Sequence, residues 1–377
     1  MIDVGTTHRS TILACLTFAI MIAGATVKSY YEPDWNFDAV PYVALAYSLT
    51  NDDPREIHRR TFDDFLAAVP SHAFELLTSG SEYRRRLYAS PEALKTQRPF
   101  YINKPAYVVL IAGLRQLGIN AARATRVISL AGFVSVAMVV LLWLWTVRAK
   151  AMLVVSAALF LCAPPFTEMA SLSSPDMIAA LPLVIAAWLM LGRGRQVRGI
   201  LCACAAIFFR PDASIAVLLL ATWATFFAPS RRLRIKTFVM TCAAIVVGTF
   251  VLQKATGATS LPTLLRHTFE SRLYEPSRMS EAISIVGYFT VLFRGLGSSL
   301  YHPSVLPLHL AMSLIAILAL AKCGTPSRPF WGWMLLAWTY APLHYLVFPD
   351  PSDRLFAPAY LLAGLGVIFL PIELVQY

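Results

Sequence analysis

Ten apolar runs, most of them about one helix long, alternate with short polar turns along much of the chain. They cover 10–27, 128–147, 151–167, 176–192, 197–209, 211–229, 237–253, 304–321, 330–348 and 355–372. A hydrocarbon core of ~30 Å takes ~20 apolar residues as a helix, with roughly 17–25 tolerated and shorter ones where helices are buried among others. The pattern predicts an all-α polytopic transmembrane bundle of about ten spans, with neighbours antiparallel because the turns are short. Two long stretches interrupt it, 28–127 and 254–303. The first carries two short apolar helices, Ala39–Leu49 and Pro105–Gly118, around a polar middle, Asn51–Arg98. The second carries an amphipathic stretch, Ile283–Leu296. No internal repeat, low-complexity tract or separable soluble domain is visible, so 1–377 reads as one membrane domain. The first apolar run is long and Gly24-Ala25-Thr26-Val27-Lys28 makes a poor small-x-small cleavage site, which favours a retained signal anchor over a cleaved peptide.

Charge sets the orientation. Four turns (Arg148/Lys150, Arg193/Arg195/Arg198, Arg231/Arg232/Arg234/Lys236 and Lys322/Arg328) hold eleven basic and no acidic residues, which assigns them to the cytoplasm. Alternation then puts both termini inside and every acidic residue except Asp3 and Glu373 outside. Counting Pro105–Gly118 as a span would invert every later turn, so it is placed on the outer membrane surface. The expected home is a bacterial inner membrane.

Composition agrees with a lipid environment: 57% hydrophobic and 14% charged residues, with a mean hydropathy of +0.61. The excess of 32 Lys+Arg over 21 Asp+Glu is absorbed by the cytoplasmic turns and gives no reason to expect nucleic acid. The six cysteines avoid the large outer loops, so no disulfide and no thiolate metal site is expected. Walker A, GxGxxG, His-Glu-x-x-His and Gly-x-Ser-x-Gly patterns are missing. The spans carry almost no ionisable groups apart from His309 and His344, which argues against a coupled transporter.

The polar groups gather at the outer ends of the spans. Glu32-Pro-Asp34-Trp35-Asn-Phe-Asp38-Ala-Val-Pro-Tyr42 sets carboxylates among aromatic rings, where partial desolvation raises basicity and ring faces suit sugars. Asp38 fits equally well as the cap of a helix starting at Ala39. Ser174-Pro-Asp176 and Arg210-Pro-Asp212 each open a span, and Pro followed by an acid is also what an ordinary helix start prefers. A further outer turn, Phe348-Pro-Asp350-Pro-Ser-Asp353-Arg354, places an arginine suited to bidentate phosphate binding at the membrane surface. Lys104, before Pro105, adds a second cation or an interfacial anchor.

A carboxylate after the first span (Asp38), a Lys-Pro entry to a surface helix (Lys104-Pro105), Ser-Pro-Asp176, Arg-Pro-Asp212 and an Asp-Arg354 turn, in this order, resemble the GT-C class of membrane glycosyltransferases. That class includes protein O-mannosyltransferases and lipid A aminoarabinose transferases. The resemblance spans Asp34 to about Leu370. It implies an inverting transferase that moves a sugar from a polyprenyl-phosphate donor to a glycan, lipid or protein acceptor of the cell envelope, with membrane lipid around it. It makes Asp38 the general base, with Asp34 as the alternative, and Asp176 a second acid that orients substrate or joins Asp38 around a divalent cation, if one is used. Lys104, Arg354 and Arg210 would meet the donor phosphate, and Asp212, Tyr42 and Trp35 would line the substrate site. Many relatives carry Asp-Glu after the first span, whereas here Asp38 is followed by Ala39. The choice between Asp34 and Asp38 therefore stays open. A flippase or transporter of lipid-linked sugars, or a polymerase or ligase of lipid-linked saccharides, is the alternative reading.

Overall fold

The computed structural model describes residues 4–228, 232–274, 278, 280–301, 313–315, 317–318, 322, 328–350 and 352–375. The expected span 304–321 falls largely outside them, as do His309, Arg231 and Cys323.

Among the described residues the chain is built of helices, and its β structure is one isolated bridge between Asp34 and Leu172. A helical bundle uses α1 (Val4–Tyr31), and the segment read from the sequence as the first outer loop follows as α2 (Ala39–Ser48), α3 (Pro54–Ala68), α4 (Ser71–Ser79), α5 (Glu82–Ala89), α6 (Pro91–Lys95), α7 (Arg98–Tyr101) and α8 (Pro105–Gln116). The bundle resumes with α9 (Ala121–Thr146), α10 (Ala151–Leu161), α11 (Pro164–Ser171), α12 (Asp176–Ala187), α13 (Gln196–Cys204), α14 (Ala213–Phe226) and α15 (Ile235–Thr256). A second outer segment holds α16 (Leu261–Leu265) and α17 (Ile285–Tyr301). The chain closes with α18 (Arg328–Val347) and α19 (Asp353–Val375).

Three of these helices are long and apolar enough to cross a membrane: Arg9–Tyr31, Ala121–Thr146 and Ile235–Thr256. They mark the chain as a membrane protein. A fourth crossing results if α10 and α11, bent by 53° at the Ala163-Pro-Pro break, form one span. The count is well below the expected ten, and for three of the runs the shortfall is one of length. The runs read at 176–192, 197–209 and 211–229 do form apolar helices, but short ones. The first ends in a π turn at Trp188–Gly192 and the second in a 3-10 turn at Ala205–Phe208.

Two apolar cores result. One fills the bundle around Trp143, Trp223 and Trp333, all essentially inaccessible to water. The other belongs to the first outer loop, where Tyr42, Phe65, Leu87, Tyr107 and Ile111 close around each other. The helix α9 joins them, with Ala121 to Ile128 in the loop core and Phe133 onward in the bundle core. The junction is fixed by Asp64, which accepts hydrogen bonds from Tyr47 Oη (2.8 Å), Asn120 Nδ2 (2.8 Å) and Ala121 N (2.9 Å). The large first loop is thus a packed cap seated on the start of α9.

Candidate functional site

Helices of the bundle run between two chemically different ends. Ser129 Oγ donates to Ser174 O at 2.9 Å, and Gly132 faces Ile178, so the early part of α9 lies beside the start of α12. Near the other end of both helices, Gly192 meets Trp143. Trp223 Nε1 donates to Pro329 O at 3.0 Å, which puts the end of α14 beside the start of α18. The turns bearing Arg148, Arg193 and Arg328 therefore share one end. Asp38, Asp176, Asp212, His344 and Arg354 share the other.

At that second end, three carboxylates occupy helix starts without capping them. Asp38 precedes α2 and Asp212 precedes α14, and neither side chain bonds to its helix backbone. Asp53, Ser81, Ser90, Asn120 and Ser260, by contrast, all accept from an amide of the helix they open. The three acids are turned instead toward cations and hydroxyls from distant parts of the chain.

Asp38 accepts from Tyr101 Oη at 3.1 Å and faces Arg354 Nη2 at 3.5 Å. Arg354 reaches on to Asp176 Oδ2, its Nη1 lying 3.9 Å away. Asp176 takes a hydrogen bond from Ser174 Oγ at 2.7 Å and an ion pair from Arg210 Nη1. Arg210 also grips Asp212 through Nε (3.0 Å) and Nη2, the two-pronged geometry natural to guanidinium and carboxylate. His344 Nε2 lies 3.1 Å from Asp212 Oδ2. One continuous chain of contacts thus runs from Tyr101 to His344 through residues up to 316 positions apart. Lys104 bonds Tyr42 Oη, with its Nζ 5.0 Å from the Tyr42 ring centre, and its charge acts on Asp38.

The balance of environments differs along the network. Burial would raise the Asp38 carboxyl, but Arg354, Lys104 and the Tyr101 hydroxyl outweigh it and hold the group below its usual value. Burial and the neighbouring Arg210 charge pull the Lys104 ammonium down, against the opposing influence of Asp38, Asp176 and Asp212. Burial, then Asp38, push the Tyr101 hydroxyl well up, so it stays a donor. Asp38 and Arg354 are the open members, with side chains 32% and 25% exposed, against 5% for Asp176 and 8% for Arg210.

Of the residues singled out in the sequence, Asp38, Asp176, Asp212, Lys104, Arg210, Arg354 and Tyr42 come together here. Asp34 and Trp35 do not join them. Asp34 is exposed and ties its backbone to Ser171 and Ser173 (3.1 and 3.2 Å). Trp35 packs on Phe65 and lies under Arg126, 5.3 Å from its ring. Sequence reasoning missed Tyr101 and gave His344 no role in the site. Tyr101 stands three positions before Lys104, one turn of spacing that could have linked it to the same face.

No metal donor set is formed: among the described residues, no group of three or more His, Cys, Asp and Glu side chains could hold an ion. The carboxylates converge on guanidinium groups. Comparison with protein-family models, with curated proteins and with solved structures gives no match, and the site is read from its own geometry.

Proposed function

We propose that the chain is a GT-C-like, multi-pass inverting glycosyltransferase of about ten spans, taking a sugar from a polyprenyl-phosphate donor to an envelope glycan, lipid or protein acceptor. The observation that carries this is the Asp38–Arg354–Asp176 relay at the end of the bundle away from the basic turns. It pairs an acceptor of protons with cations able to meet a phosphate. A lipid-phosphate donor holds its scissile bond at headgroup depth, where the ends of the helices lie.

In the proposed reaction the acceptor hydroxyl attacks the anomeric carbon and gives its proton to the Asp38 carboxylate. The bond between that carbon and the phosphate oxygen breaks, its electron pair stays on the phosphate, and Lys104 and Arg354 take up the charge. The products are the glycoside, polyprenyl phosphate and a protonated Asp38. In the resting network Arg354 lowers the basicity of Asp38. A donor phosphate that engages Arg354 relieves that influence, so donor binding itself strengthens the base. Asp176 holds Arg354 in place, while Arg210 and Asp212 brace Asp176 from behind.

The test is complementation. Envelope glycans of a strain lacking the chain should miss one sugar, restored by the wild-type chain and not by Asp38→Asn. Removing a general base lowers transfer by about 10²–10⁴-fold. Full restoration by a correctly inserted Asp38→Asn chain removes Asp38 as the base.

A further inference from the structure

One groove lies outside this network. A groove of about 780 Å3 opens between α5, α6 and α7 of the first outer loop and Tyr274 of the second. Three cations line it, Arg86, Lys95 and Arg98, against one acid, Glu92. Arg86 bonds Glu82 at 3.0 Å and lies 4.7 Å from the Tyr274 ring centre. Among the described residues, neither Lys95 nor Arg98 forms an ion pair, and both are exposed.

The groove wall is built with care. Leu273, fully buried in the core of the first loop, has both backbone polar groups satisfied by side chains. Its N–H donates to His267 Nδ1 at 2.9 Å and its carbonyl accepts from Gln97 Nε2 at 3.1 Å. Gln97 is itself fixed by Tyr83 Oη at 2.8 Å, and Thr96 Oγ1 donates to Tyr274 O at 3.3 Å. Burial first, then Arg272, bring His267 down to about 4, so at neutral pH the ring is uncharged and able to accept from Leu273. This clasp sets the residues on either side of Leu273: Tyr274 into the groove, and Arg272 over the Tyr83 ring at 5.5 Å, near enough for its charge to act on Asp38.

Charge counting separates the two regions. Within the candidate site Lys104, Arg210 and Arg354 balance Asp38, Asp176 and Asp212. Arg272 is surplus to that balance and, among the described residues, has no carboxylate partner. Arg272, whose charge acts on Asp38, stands two residues along the chain from Tyr274, which meets Arg86 at the groove. At its other end, α7 links Arg98 to Tyr101, which bonds Asp38.

We infer that this groove binds an anionic saccharide, one bearing carboxylate or phosphate groups, and that Arg272 leads its end toward Asp38. What the bound chain is for, as acceptor, rests on the transferase reading; the binding itself does not. Water-facing saccharide fits better than a lipid headgroup because α6 and α7 expose no large apolar side chain, whereas α17 exposes Ile285, Val286, Phe289 and Phe293.

The full chain in nanodiscs of neutral phosphatidylcholine, titrated with an oligogalacturonate of about six units, should bind at least about tenfold more tightly than it binds maltohexaose, with affinity falling as salt rises. The double variant Lys95→Glu/Arg98→Glu should weaken that binding by about tenfold or more, and Arg272→Gln by a smaller factor. Lys95→Gln/Arg98→Gln, which keeps length and polarity, should fall between, with an unchanged melting temperature as the folding control. Equal binding of the two oligosaccharides, or indifference to the charge reversal, overturns the inference. So does a double variant whose one change is weaker association with vesicles containing phosphatidylglycerol, which would make the groove a lipid site. No sugar donor is present in this assay, so its failure leaves the transferase reading standing. Complementation by Asp38→Asn would overturn that reading without touching the binding result.

Discussion

Arg210 gives its guanidinium to two carboxylates with its side chain 8% exposed, whereas Arg354, 25% exposed, meets Asp38 at 3.5 Å and Asp176 at 3.9 Å. Loss of Arg210 leaves the buried Asp176 with only the 3.9 Å contact to Arg354 as its charge partner, and Asp212 with His344 alone. Arg210→Ala should therefore destabilise the fold by roughly 3–5 kcal/mol. Arg354→Gln should cost under about 1 kcal/mol, because its pairs are longer and partly solvated. Thermal unfolding in detergent compares the two, and equal losses would make Arg354 as structural as Arg210. The Asp38 carboxyl supplies a second, kinetic test. Held below its usual 3.8, it stays ionised in the free protein, and the stability this contributes is present above that value and lost as pH falls through the lower folded one. The acid limb of kcat/KM should thus lie low. That of kcat should lie higher, because the bound donor phosphate draws off Arg354. In Arg354→Gln the two limbs should converge, with kcat/KM rising to meet kcat. Coincident limbs in the wild-type chain count against the proposed donor-induced strengthening of the base.

Helix starts show how far a sequence discloses its elements. The run read at 128–147 is the helix Ala121–Thr146, and the one read at 237–253 is Ile235–Thr256. Apolar composition alone locates such segments to within a turn or two. It does not reveal that α12 stops being α-helical at Trp188, or that α13 gives way to a 3-10 turn after Cys204. Pro182 lies within α12 without ending it, so the change at Trp188 follows packing more than a local signal. The acids at 38, 176 and 212 were legible as either caps or site residues. Partners far along the chain decide between the two, and no window around Asp38 contains Arg354. One contact between elements is steric. A Cβ on Gly132 would lie 2.8 Å from Ile178 N and 2.9 Å from its Cα, both backbone atoms that cannot turn aside. Gly132→Ala must push α9 from α12, at a cost of roughly 1–3 kcal/mol. Since Asp176 opens α12 two residues before Ile178, transfer should fall further than the lower melting temperature explains. An unchanged melting temperature would show that the helices can part freely.

At the scale of the whole molecule, positive turns and carboxylates occupy opposite ends of the bundle. Charge asymmetry and packing reach that arrangement independently. The first counts Arg and Lys between apolar runs; the second rests on contacts such as Trp223 with Pro329 and Ser129 with Ser174. Short helices fit between the same two ends because their termini are finished by irregular turns. At α13, for example, Cys204 passes through a 3-10 segment before Arg210 arrives at the site. Within that 3-10 segment Ala206 and Ile207 are buried, whereas Ala205 and Phe208 are exposed. The orientation expected from the charge of the turns would put Ser81 outside and Arg195 inside. In a background with every cysteine replaced by serine, a membrane-impermeant maleimide should label Ser81→Cys on intact cells and Arg195→Cys after permeabilisation alone. The reverse pattern would place the Asp38 relay at the cytoplasmic surface. A sugar donor would then have to be met there, and an extracytoplasmic transferase would no longer describe the chain.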